Sequence, residues 1–153
     1  MQYHYFTASE IASTIQQLGY KARIVTEANI TDIESAAFGT RWNARLRTVD
    51  PFFESMYLST IIWTSESPFE WANFWNSRHY WSMAHVLVPN DFKDFAPDDD
   101  GDYSIVIDFT YDFSGGVSHE YLAHAITQWL ECVEELANAE NIKISPPHSS
   151  QTS

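Results

Sequence analysis

The sequence predicts an α+β domain, an antiparallel sheet with three helices in the order α-βββ(β)-α-ββ-α. Two successive patterns carry this prediction. Over residues 103–113 the odd positions are apolar or aromatic and the even positions mostly polar, which is the alternation of a strand with one buried face. Over residues 118–136 apolar residues recur at helical spacing, so we expect an amphipathic helix that packs on that strand.

The first part of the chain predicts one helix and then three or four strands. Thr7 and Glu10 have the spacing of a capping box, and Gly19 supplies a helix stop. Alternating or continuous apolar residues predict strands at residues 20–26, 32–38, 41–48 and 57–64. The last of these is apolar on both faces, so we expect a central strand that is covered on both sides.

The second part predicts a helix, two strands and the closing helix. Ser67 and Glu70 flank Pro68 in the pattern of a helix start, and this helix should run to about residue 80. A strand is predicted at residues 83–88, before an acidic turn and the strand of residues 103–113. The pattern is lost after residue 138. We therefore expect a single domain over residues 1–141 and a disordered tail over residues 142–153.

The charge of the chain is uneven and narrows the classes of partner. The formal net charge is −13. Residues 1–50 hold five basic and five acidic residues, so the whole excess lies in residues 51–153, with three basic and sixteen acidic residues. We therefore expect neither nucleic acid nor a membrane as a partner.

The same sequence bears on the compartment. A single cysteine, Cys132, excludes an intrachain disulfide framework. The first residues lack the basic and apolar regions of a signal peptide, and no apolar run approaches the length of a membrane span. We expect a cytoplasmic protein.

No motif of the sequence assembles a catalytic or metal site, so we expect no enzyme, no metal and no cofactor. His119 and His124 are five residues apart, whereas a zinc-protease helix needs a spacing of four. In the acidic turn at residues 97–102 the glycine does not fall at the sixth position, where a calcium loop requires it. Asp108 and Asp112 share a strand face, which fits a solvated face as well as an acid–base pair.

Three arginines stand on one face of the strand predicted at residues 41–48. They are Arg41, Arg45 and Arg47. Charge on one side of a strand protects a sheet surface, and this is the interpretation we favour. A docking patch, or an internal partner for the acidic half of the chain, is the alternative.

Four short motifs occur in a fixed order between residues 7 and 137. They are the strand that ends at Gly39, the run Asn73-Phe74-Trp75-Asn76, the late-strand Asp108, and the Gly115-Gly116 turn followed by Trp129. Together they resemble the YbjN family of small bacterial proteins, which are described as sensory-transduction regulators. Tyr80-Trp81 departs from the arginine–aromatic pair that is common in the family.

The resemblance implies a fold similar to that of type III secretion chaperones. Those proteins are small, acidic and often dimeric, and they bind segments of partner proteins on apolar and sheet-edge surfaces. Similarity of fold does not by itself assign the activity to this chain.

The asparagines of the second motif have a structural interpretation. Asn73 and Asn76 are one helical turn apart, and asparagine is disfavoured inside helices. We therefore expect both to bond the backbone of a neighbouring strand or loop, with a ligand site as the alternative. Phe69, Ala72 and Trp75 are expected to pack against the sheet.

The function predicted from these observations is a non-catalytic protein-interaction module. It would bind a segment of a partner protein in a regulatory or chaperone-like role. The alternative is an acidic decoy or immunity-type protein that masks a basic site on a toxin or nucleic-acid-binding protein. An unrecognised enzyme is the third hypothesis.

Phe74 and Trp81 form the candidate interaction surface. They are seven residues apart and so share one side of the second helix if it extends that far. A homodimer would cover this side. In the competing arrangement the chain is a monomer whose acidic loop folds over the helix.

Overall fold

The helices and strands are seen in a computed structural model that describes residues 5–47, 53–79, 82–113 and 116–147. The helices of these residues are α1 (Ala8–Gln17), α2 (Pro68–Arg78) and α3 (His119–Ala137). The strands are β1 (Ala22–Glu27), β2 (Ile30–Ala37), β3 (Thr40–Arg47), β4 (Ser55–Thr64), β5 (Met83–Val86), β6 (Tyr103–Asp112) and β7 (Lys143–Ile144). Within the described ranges no helix combines the length and the apolar character that crossing a membrane requires.

All of these strands join one antiparallel sheet. The order is β1-β2-β3-β4-β6-β5, and the short β7 pairs with β4. The predicted α+β class with an antiparallel sheet is therefore confirmed, and β7 is an addition that the sequence did not predict. β1 and β5 are the outer strands of the main path.

The N-terminal caps of α1 and α3 are formed by side-chain hydroxyls. The Thr7 hydroxyl accepts the Glu10 N–H at 3.2 Å, and the Glu10 carboxylate accepts the Thr7 N–H at 3.2 Å, so the capping box is confirmed. The Ser118 hydroxyl accepts the Tyr121 N–H at 3.1 Å. The predicted cap of α2 is wrong in one respect. The helix begins at Pro68, but the Ser67 side chain makes no capping hydrogen bond.

The core lies between the helices and one face of the sheet, which we call the inner face. Strand alternation directs Trp42, Ala44 and Leu46 of β3 into this core. The Trp42 and Trp129 rings meet edge to face, with centroids 6.3 Å apart, and so join β3 to α3. Burial of apolar side chains on the inner face thus stabilises the fold, and the outer face does not belong to this core.

The expectation that β4 is covered on both sides is wrong. β4 is central, between β3 and β6, and its inner residues Met56, Leu58 and Ile62 are fully buried. On the outer face, however, Ile61 keeps 39% of its surface exposed. The helices all contribute to the inner core, so apolar residues on the outer face of β4 stay in contact with water.

The prediction of a disordered tail is wrong for residues 143–145. Lys143 and Ile144 pair with β4, and Ser145 is buried. The Ser145 hydroxyl donates to the Ile61 carbonyl at 2.6 Å, and the Ser145 carbonyl accepts the Arg41 N–H at 2.9 Å. This segment therefore fills a gap between β3 and β4. Residues 148–153 of the predicted tail lie outside the described residues.

Candidate functional site

The outer face of the sheet has a polar cluster at its centre. Asp108 of β6 accepts a hydrogen bond from the Tyr57 hydroxyl of β4 at 2.6 Å, through Oδ2. Its other oxygen, Oδ1, lies 2.9 Å from Nε2 of His85 on β5. One carboxylate thus joins side chains from three neighbouring strands. The antiparallel register places all three on the same side of the sheet.

The Tyr57 phenol of this cluster holds its proton more tightly than an ordinary tyrosine. Burial, together with the hydrogen bond to Asp108, raises the pKa of Tyr57 to about 12. The phenol therefore stays protonated at neutral pH and acts as a donor. The Arg47 guanidinium lies over the same ring, 5.0 Å from its centroid.

The single cysteine of the chain is not placed to act as a nucleophile. Cys132 is fully buried in α3, on the inner side of the sheet. Burial raises the pKa of its thiol to about 12, so the nucleophilic thiolate does not form at neutral pH. Within the described ranges no three His, Cys, Asp or Glu side chains converge as a metal-binding group.

Arg45 of β3 and Arg23 of β1 each pair with a carboxylate of β2. Arg45 forms a two-pronged pair with Asp32 of β2, at 3.0 and 3.1 Å, and this hydrogen bonding raises the pKa of Arg45. Arg23 of β1 pairs with Glu34 of β2 at 2.6 Å. Asp32 and Glu34 belong to the balanced first part of the chain, so these bonds do not join it to the acidic half.

Apolar side chains also remain exposed on this face. Met83 of β5 keeps 50% of its surface in water, and Ile61 of β4, on the other side of β6, keeps 39%. Trp63 and Val106 are half-buried on the same face. Between β3 and β4 the face dips into a depression of about 300 Å³ that Arg41, Ser59 and Ile61 help to line. The outer face therefore offers apolar contacts and hydrogen bonds rather than free charge.

Two residues of the second motif anchor β5. The Asn76 side chain donates from Nδ2 to the Ala84 carbonyl at 3.0 Å, and its Oδ1 accepts the Ala84 N–H at 2.7 Å. The Trp75 indole is buried and donates to the Ser82 hydroxyl at 3.2 Å. The prediction that Asn76 bonds strand backbone agrees with these distances. For Asn73 it is wrong, because that side chain is exposed on the outer side of α2.

The remaining motif residues have separate structural places. Gly39 and Gly116 occupy turns with φ of +71° and +83°, the left-handed region that glycine adopts without strain. Trp129 is fully buried against Trp42. Gly115 and Trp81 lie outside the described residues. Asp108 and Asn76 therefore both bind β5, one through a side chain and one through the backbone, but the motif residues do not form a pocket.

Phe74, the described half of the candidate interaction surface, is 57% exposed. The Arg78 guanidinium lies 4.3 Å from its ring centroid. The expectation that Phe69 packs on the sheet is wrong, because its ring rests on Phe95 of the acidic segment, which we define as residues 91–102, with centroids 5.5 Å apart. Part of α2 is therefore covered by the chain itself.

Sequence reasoning singled out Asp108 but missed its partners. Alternation places Tyr57 and Ile61 on one face of β4, yet the pattern does not say which residue of another strand lies beside them. His85 stands in a four-residue strand that carries little periodic signal.

Comparisons of the chain with models of protein families, with curated proteins and with solved structures find no match.

Proposed function

We propose that this chain is a non-catalytic protein-interaction module that binds a segment of a partner protein through the outer face of its sheet. The observation that carries the proposal is a face on which charges pair across β1, β2 and β3 while Ile61 of β4 and Met83 of β5 stay exposed. Charges that already bond each other hold the surface in one shape. The exposed apolar side chains of the same face stabilise a complex when a partner removes them from water.

The chemistry of the face favours a polypeptide over other partners. Arg23 and Arg45 are each engaged with a carboxylate, so they offer little free charge to phosphates. The net charge of −13 repels nucleic acid and anionic lipid. A protein segment can supply both apolar side chains and backbone hydrogen bonds, which are the two kinds of contact that this face can make.

The regulatory or chaperone-like role in the proposal comes from the resemblance to the YbjN family. It stays a prediction, as does the cytoplasmic location, which fractionation of the source cell tests. The role and the binding face are separate parts of the proposal. Either part can fail without the other.

A photoreactive residue placed on the outer face tests the binding proposal. Position 61 should yield cross-linked adducts in the source cell, since Ile61 lies among the exposed apolar groups of the face. The matched control is position 13, because Ser13 is exposed on α1, away from this face. Absence of adducts from position 61, or the same adducts from both positions, would count against the proposal.

A second candidate function is the acidic decoy that masks a basic site. The observation that favours it is that Glu131 and Glu134, two exposed carboxylates of α3, pair with no basic residue of the described ranges. Salt separates the two functions. Binding by a decoy should collapse as ionic strength rises, whereas binding to the apolar groups of the outer face should be nearly insensitive to salt.

A further inference from the structure

A second surface lies on the helical side of the molecule, away from the outer face of the sheet. It is a depression of about 250 Å³ where the end of α1, the start of β1, the β2–β3 turn and α3 meet. Its apolar lining comes from Leu18, Tyr20, Phe38 and Leu130. Leu18 and Phe38 keep 37% and 42% of their surfaces exposed, so the depression is open to a partner.

Phe38 holds an unusual backbone conformation at this place. It forms the two-residue β2–β3 turn with Gly39, and both residues have positive φ, +52° and +71°. Turns of this kind favour asparagine and glycine, because a bulky side chain is strained in the left-handed region. The Phe38 ring touches Tyr20, with centroids 6.3 Å apart, yet it remains half in water. The partial burial of the Phe38 ring therefore contributes little to the stability of the fold.

The rim of the depression is acidic. Glu131 and Glu134 of α3 line it, and both are exposed. Within the described residues no lysine, arginine or histidine forms an ion pair with either of them. Two free carboxylates beside an apolar depression complement a cation that flanks an apolar group.

We infer that this depression binds a basic amphipathic segment of a partner protein. An apolar side chain of the segment contacts Phe38 and Leu18, and a neighbouring lysine or arginine pairs with Glu131 and Glu134. The inference rests on the proposed function, because it adds a second contact surface to the same interaction module. It also explains why a strained, exposed aromatic ring stands in the β2–β3 turn, where strain is otherwise unfavourable.

The test uses the full chain and a fluorescent model peptide that repeats leucine and lysine at helical spacing. A second peptide carries glutamate in place of lysine. We expect the lysine peptide alone to bind, as measured by fluorescence anisotropy. Phe38→Asn should weaken this binding about tenfold, as expected for loss of an aromatic anchor. The same substitution should raise the melting temperature, because asparagine relieves the strain at this position.

Matched controls separate the depression from general effects. Ala28→Asn relieves the same kind of strain in the β1–β2 turn, where Ala28 has φ of +48°. It should raise the melting temperature and leave peptide affinity unchanged. Glu131→Gln with Glu134→Gln should weaken binding about tenfold, since both ion pairs are lost. The control pair, Asp94→Asn with Asp99→Asn, removes the same charge from exposed positions elsewhere and should have little effect.

Several outcomes would overturn the inference. Equal losses in the two double variants would show attraction to net charge alone. Unchanged affinity in Phe38→Asn would show that the apolar lining is not used. If the depression variants bind the lysine peptide normally while position 61 still gives cross-links, the inference fails and the proposed function stands. If position 61 gives no cross-links and no peptide binds, both fail.

Discussion

The side-chain amide of Asn76 binds both backbone groups of Ala84, the N–H and the carbonyl. Ala84 pairs with Ile107 of β6, and β5 is the last strand at this end of the sheet. Groups that are bonded by a helix side chain are not available to a further strand. An open strand edge is a site of unwanted pairing between chains. Asn76 therefore fixes α2 to the sheet and blocks one position of this edge.

Replacing Asn76 by alanine should destabilise the fold. The substitution leaves the Ala84 N–H and carbonyl without their partner, in a partly buried place. We expect the free energy of unfolding to fall by about 1–3 kcal/mol, the range for unpaired buried polar groups. Urea denaturation measures it. Asn73→Ala is the control, because Asn73 is exposed on the same helix and its loss should change stability by less than about 0.5 kcal/mol.

The two asparagines show how far a sequence motif predicts a contact. Both were expected to bond strand backbone, and only Asn76 does so. The packed side of α2 is marked by buried Ala72 and Trp75. Asn76 lies about 40° from Ala72 around the helix axis, whereas Asn73 lies about 100° away and faces water. The weak amphipathic pattern of this helix does not reveal that direction before the packing is known.

Truncation after Asn141 should lower the melting temperature. It removes β7, the Ser145 bonds to Ile61 and Arg41, and the Lys143 ammonium that lies 2.6 Å from the buried Asp102 carboxylate. We expect a fall of more than about 5 °C, which corresponds to over 1 kcal/mol for a domain of this size. A chain that ends at Pro147 is the control, because it keeps these contacts. Equal melting temperatures for the two truncations would contradict the prediction.

The failure to predict β7 has a plain physical cause. A two-residue strand is too short to show alternation, and Ile142 and Ile144 are followed by two prolines. Polar sequence with proline is typical of disorder. The segment is ordered because it pairs with the part of β4 that extends past β3. This unpaired part of β4 becomes known only when the register of the strands is known. In contrast, β6 and α3 are long and strongly periodic, and the sequence predicted them well.

The stability of the fold should fall at high pH through Tyr57. Its pKa rises from an ordinary value near 10 to about 12 in the folded chain, chiefly because burial disfavours the phenolate. Between these values the unfolded chain loses this proton while the folded chain keeps it. Stability is therefore retained below pH 10 and lost as the pH approaches 12. Denaturation measured across this range should show a smaller loss in Tyr57→Phe.

The absorbance of the phenolates checks the same prediction directly. Burial also raises the pKa of Tyr111, so the folded chain should show two late steps of phenolate ionisation, those of Tyr57 and Tyr111. Tyr57→Phe should remove one late step, and Tyr111→Phe the other. A titration of Tyr57→Phe identical in its late part to that of the unchanged chain would show that Tyr57 ionises normally.

The cluster around Asp108 marks the limit of sequence prediction for the candidate site. Asp108 was singled out by a motif, and its face of the strand followed from alternation. Tyr57 precedes it by 51 positions and His85 by 23, and they meet it only through the register of three strands. No single-strand pattern encodes that register. The charges of the face were visible in the sequence, but their mutual pairing was not.

Self-association through α2 is the last prediction. Phe74 is 57% exposed, and Arg78 covers one side of its ring. Exposed aromatic surface on a helix is stabilised when a second copy covers it, and closed twofold pairs are the commonest assemblies. We expect light scattering at micromolar concentration to give a mass that rises above 17.6 kDa as the chain is concentrated. Phe74→Ser should return the mass to that of a monomer.

The matched variant for Phe74→Ser is Ile30→Ser. Ile30 is 43% exposed at the start of β2 and does not belong to α2 or to the acidic segment. If both substitutions reduce self-association equally, general hydrophobicity is its cause.

A mass of 17.6 kDa at every concentration would instead favour the monomer in which the acidic segment covers the helix. The Phe69–Phe95 contact is the first element of that cover. Phe95→Ser should then expose Phe69 and promote association, which the same measurement would detect.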